Sequence, residues 1–119
     1  MILGVFLFAC ISCSKDNDAA KGTASVYYHV EAVNASQVTV YWNQANGMAD
    51  SAFVNGSHWT RTQSVSKPFQ ASLGGKITNA AANAKIILEI RSDGNLLLKD
   101  SSIAIPGGEL KFTRSITVN

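Results

Sequence analysis

From Thr23 to Val33 apolar and polar side chains alternate almost without a break. Ala24, Val26, Tyr28, Val30 and Ala32 fall on one side, and Ser25, Tyr27, His29 and Glu31 on the other. A period of two marks a strand with one buried face; wound as a helix, the same residues would scatter their apolar groups around the axis. The pattern returns over residues 37–44, where Val38, Val40 and Trp42 alternate with Thr39, Tyr41 and Asn43. Only Asn34-Ala-Ser36 lies between, so the spacing predicts a hairpin joining the first two strands. Lys85 to Ser92 is the strongest later strand, with Ile86, Leu88 and Ile90 inward. It runs into Asp93-Gly94, a favoured two-residue hairpin turn, and then into Leu96-Leu-Leu98. Leu110, Phe112, Ile116 and Val118 share a last alternating face. Arg114 interrupts that face and is expected near a strand end or an edge.

The middle of the chain is less regular. Ser51-Ala-Phe-Val54 reads as a short strand and Asn55-Gly56 as a turn. Trp59, Arg61 and Gln63 alternate in a further strand, and Lys67-Pro68 suits an edge or a strand start. Phe69, Ala71 and Leu73 alternate up to Gly74-Gly75, which reads as a loop pair. Residues 77–84 hold four alanines and two asparagines, a loop or one helical turn and no more. Pro106-Gly-Gly108 ends the segment 101–105. Short strands with turn signals about every eight to twelve residues predict a single immunoglobulin-like antiparallel β-sandwich of about seven strands over residues 23–119, with a small β-barrel as the alternative.

Ahead of this domain, residues 2–11 form an uncharged apolar run. At helical rise it would cover about 15 Å, half of a hydrocarbon core, so it reads as the apolar part of an export signal and not as a membrane span. Residues 14–22 are polar and reach at most about 30 Å when extended. Both cysteines, Cys10 and Cys13, lie in this leader, which excludes disulfides and cysteine-ligated metal from the domain.

The apolar run ending at Cys10-Ile-Ser-Cys13 resembles a bacterial lipoprotein signal, and Ser12-Cys13-Ser-Lys-Asp-Asn-Asp18 resembles the junction of Bacteroidetes lipoproteins. The resemblance implies that residues 1–12 are a signal peptide and that Cys13 is acylated, with Cys10 as the alternative after Leu7-Phe-Ala. Residues 13–22 then form the lipidated cysteine and a tether. It further implies a membrane partner, held through the lipid, and a place in the bacterial cell envelope at the outer membrane. Lys15-Asp16 with Asp18 resembles the signal that carries such lipoproteins to the outer surface. The leader departs from the pattern in having no Lys or Arg before its apolar run. Within the domain, Val26-Tyr-Tyr28, Val38-Thr-Val-Tyr41 and Lys85-Ile-Ile-Leu-Glu-Ile90 before Asp93-Gly94 are similar to the MmpS accessory domains. Those are immunoglobulin-like modules tethered beside export pumps, but this chain lacks their paired cysteines and has a lipoprotein-like signal where they have a membrane helix.

Function classes are narrowed by what the chain does not cluster. Ten basic and eight acidic residues leave a net charge of +2. The basic residues stand singly, without the patch a nucleic-acid binder presents, so no nucleic-acid partner is expected. The acidic residues do not pair as two-carboxylate glycosidase chemistry requires. The glycine pairs lack a following Lys-Ser/Thr and open no helix. His29 and Glu31 share a strand face, but two ligands without a visible third make no metal site; the expectation is a solvated polar face with no metal and no cofactor. In the predicted hairpin His29 lies opposite Tyr41 and Tyr27 near Asn43, an aromatic strip suited to a sugar ring. Trp42 belongs to the core. Trp59, beside His58, is either an exposed contact residue or, more in keeping with its pattern, packed inward. Asp50-Ser51-Ala52 resembles a Bacteroidetes O-glycosylation acceptor, with Ser51 as the site. The expected function is a non-catalytic binding or accessory module acting on an envelope protein complex or a glycan. The alternatives are a small hydrolase built on His29/Glu31 or His58, and a purely structural envelope component.

Overall fold

The computed structural model describes residues 22–104 and 108–119. The leader, Cys10, Cys13, the tether through residue 21 and residues 105–107, with the expected end of the segment at Pro106, lie outside the described residues. Eight strands follow in chain order: β1 (Thr23–Val33), β2 (Val38–Asn43), β3 (Ala49–Val54), β4 (His58–Ser66), β5 (Phe69–Ile77), β6 (Lys85–Ser92), β7 (Asn95–Ile103) and β8 (Leu110–Val118). They form two four-stranded antiparallel sheets, ordered β4-β1-β6-β7 and β3-β2-β5-β8, packed as a sandwich without barrel closure.

Alternation becomes burial as the sequence predicts. The inner faces supply Val26, Tyr28, Val30, Val38, Val40, Leu73, Ile86, Leu88 and Ile90, all at most 1% exposed, and no polar or charged residue is fully buried among the described residues. Asp93 and Gly94 turn the β6–β7 hairpin with φ of 50° and 84°, the paired positive φ that matches the twist of two antiparallel strands. The β2–β3 hairpin closes through Gln44, whose N–H donates to the Met48 carbonyl at 2.8 Å.

The predicted β1–β2 hairpin does not form. β1 pairs with β4 and β6, and β2 pairs with β3 and β5. Residues 34–37 instead carry the chain from one sheet to the other, with Asn34 in the left-handed region at φ 58° and its side-chain amide donating to the Asn83 carbonyl at 3.0 Å. The physical reason is that each alternating face is buried by the opposite sheet, β1 packing against β5, an outcome that alternation alone does not distinguish from lateral pairing. Gly74 and Gly75 are also not a loop; they lie inside β5. A Cβ on Gly75 would stand 3.3 Å from two carbons of Ile86 and 3.4 Å from Val38, so the glycine lets the sheets approach at this level. Residues 78–84 form the loop expected of them.

Side chains also join the sheets by directed bonds. Tyr28 of β1 is fully buried, and its hydroxyl donates to the carbonyl of Asn43 at the end of β2, at 3.1 Å. The same carbonyl accepts from Gln63 Nε2 of β4 at 2.7 Å. Burial pushes the Tyr28 hydroxyl from 10.0 up to about 12.

Four outcomes follow for stability. Gly75→Val overfills the space before Ile86 and is expected to cost about 1–3 kcal/mol, read as a lower urea midpoint. Gly56→Ala, with nothing within 4 Å of its added Cβ, stays within about 0.5 kcal/mol of the parent. Between pH 10 and 12 the folded chain keeps the Tyr28 proton that the unfolded chain releases. Stability is therefore whole below pH 10 and falls by about 1.4 kcal/mol per pH unit through that window. Tyr28→Phe should cost about 1 kcal/mol at neutral pH and flatten this alkaline slope; parallel slopes for the two proteins would contradict the assignment.

Candidate functional site

β1 is an inner strand of its sheet, held on one side by β4 and on the other by β6. Because its even-numbered residues point into the core, Tyr27, His29 and Glu31 necessarily stand together on the outer face. The β1–β4 register sets His58 directly opposite Glu31 and Thr60 opposite His29. The β1–β6 register sets Glu89 opposite His29 on the other flank.

His29, Glu31 and His58 therefore converge. One ligand atom from each lies within 4.8 Å of the others. The two imidazoles stack with centroids 5.8 Å apart and planes 11° from parallel. Tyr27 borders the group, its ring 6.3 Å from that of His29 and inclined by 45°. On the β6 side, Glu89 Oε1 lies 3.9 Å from His29 Nδ1, and Glu89 accepts a hydrogen bond from Arg91 Nε. That hydrogen bond from Arg91 is the main reason the Glu89 carboxyl is held below the usual carboxylate range, against the opposing effect of its partial burial. The result is a carboxylate fixed in its charged form beside an imidazole. Among the described residues neither histidine is hydrogen-bonded to a hydroxyl that it would activate as a nucleophile.

The other aromatic residues do not join this group. Tyr41 sits on the outer face of the opposite sheet, in register with Ser51 and Gly74, and Lys111 Nζ stands 5.4 Å from its ring centroid. The strip of Tyr27, His29 and Tyr41 required β1 and β2 to be neighbours, and they lie in opposite sheets instead. Trp59 turns inward, its ring 4.7 Å from Trp42, with the Arg61 guanidinium 5.5 Å from the Trp42 centroid. Ser51 is exposed on β3, an outermost strand. Sequence reasoning named His58 but missed that it joins His29 and Glu31. Its one legible signal was alternation: Trp59 inward places His58 outward, but nothing in the chain order announced that β4 lies beside β1.

Comparison with known protein families, curated proteins and solved structures finds no match to this chain.

The contact between Trp42 and Trp59 spans the two sheets, so the residues should be energetically coupled. A double-mutant cycle on Trp42→Leu and Trp59→Leu is expected to give a coupling of about 0.5–1.5 kcal/mol in denaturant unfolding. Strict additivity would show that the rings only share a location.

Proposed function

We propose that this protein is a lipid-anchored component of a bacterial cell envelope whose β-sandwich is a non-catalytic binding or accessory module. The observation that carries the reading is the Ser12-Cys13-Ser-Lys-Asp junction placed between an apolar run and a domain without cysteine. Export leaves the leader thiols no partner inside the fold, and acylation gives one of them a use. Each buried methylene of an acyl chain contributes about 0.8 kcal/mol, so more than one chain is needed for lasting attachment. The anchor belongs to the outer membrane, and Lys15-Asp16 with Asp18 directs it toward the cell surface. A histidine pair that, among the described residues, has no hydrogen-bonded hydroxyl supports binding over hydrolysis. The resemblance to tethered MmpS domains supports an accessory role beside an envelope complex, and a glycan is the other partner class. Ser51, exposed on an outermost strand, has the access that O-glycosylation needs.

Growth of producing cells with a fatty-acid analogue tests the anchor. The label is expected on the parent and on Cys10→Ala, and lost from Cys13→Ala. Intact mass of the native protein would read the acyl groups and any sugar on Ser51 together. Label retained when both cysteines are replaced would end this reading.

A further inference from the structure

We infer that His29, Glu31 and His58 form a binding site for a divalent transition metal of the zinc class, with Glu89 as the carboxylate that orients His29. This inference stands on the outer face of the β4-β1-β6-β7 sheet alone and does not depend on the anchor.

Three observations converge on it. The donor set is two imidazoles and one carboxylate, the N₂O combination that serves zinc sites with three protein ligands and one open position. Imidazole donors favour zinc, copper and nickel, whereas calcium and magnesium are held by oxygen. The three donor atoms already lie within 4.8 Å of one another. Around a tetrahedral ion with bonds of 2.0–2.1 Å they would stand about 3.3 Å apart. His58 is exposed on an outermost strand and has room to turn, while His29 and Glu31 are partly covered on an inner strand. One donor therefore closes upon two that the sheet holds in place.

The third observation is Glu89. Ligating histidines usually pass their other ring N–H to a carboxylate, which fixes the tautomer and raises the basicity of the donor nitrogen. Glu89 Oε1 stands 3.9 Å from His29 Nδ1, so a small approach completes that bond and leaves Nε2 as the metal donor. Arg91 on the far side of Glu89 keeps the carboxylate in place. A merely solvated face has no need of a carboxylate anchored behind one of its imidazoles. Solvent or a donor from a partner would fill the fourth position, on the open side of the sheet.

The test uses the full chain carrying Cys10→Ser and Cys13→Ser, so that leader thiols take no metal. Competition with a chromophoric zinc chelator is expected to give one Zn²⁺ per chain, with millimolar Ca²⁺ and Mg²⁺ unable to displace it. Co²⁺ should give the visible absorption of a low-coordinate site. His29→Gln, Glu31→Gln and His58→Gln should each weaken zinc at least about tenfold, and Glu89→Gln by about 10–100-fold. Circular dichroism of His58→Gln guards against loss of fold, since this exposed side chain can change without touching the core. Absence of zinc binding at millimolar metal, binding unchanged in folded His58→Gln, or displacement by Ca²⁺ would each overturn the inference.

Discussion

Everything in this fold depends on two alternating strands lying in opposite sheets rather than side by side. β1 and β2 each carry an apolar residue at every second position, and each needs a dry surface to cover that face. Burying a Val, Leu or Ile side chain is worth about 1.5–3 kcal/mol, and residues such as Val30, Val40 and Leu88 are completely covered. With β1 in one sheet and β2 in the other, the strands that flank them have no choice but to extend the same two layers. Gly75 permits the layers to close at Ile86. Tyr28 adds direction to a contact that is otherwise nondirectional, because its hydroxyl reaches the Asn43 carbonyl across the core.

A sandwich that does not close into a barrel has open sides, and polar groups span both of them. On one side Arg114 of β8 donates to Asp100 of β7 at 2.9 Å while its guanidinium lies 4.4 Å from the Phe112 centroid. The Ser101 N–H and then Arg114 hold the Asp100 carboxyl below its ordinary range. On the other side Trp59, Arg61 and Gln63 of β4 reach Trp42 and Asn43 of β2. An exposed ion pair contributes little to stability. Charges turned toward an open side also discourage another strand from pairing there. Arg114, an interruption in the sequence pattern, thus serves the edge strand that carries it.

The histidine cluster inherits its geometry from this arrangement. Side chains on an inner strand vary little in position, so the spacing of His29 and Glu31 is set by the pleat. Their neighbours His58 and Glu89 are set by hydrogen-bonded register on either flank. The site lies on the face that the core leaves free, which separates its chemistry from the demands of stability.

Local sequence determined the strands, their buried faces, the Asp93-Gly94 hairpin and the inward place of Trp42, because alternation and turn chemistry act over a few residues. It also placed His29 beside Glu31, since two residues on one strand share a face in any fold that keeps the strand. Alternation says which side of a strand is buried, not what lies beside it. Hence the hairpin expected at Asn34-Ala-Ser36 gave way to a crossing between sheets, and Tyr41 left the company of His29. Four of the six ladders join strands that are not consecutive in the chain, and their pairing is decided by how all the faces pack at once. Only that packing brought β4 against β1 and, with it, His58 to Glu31.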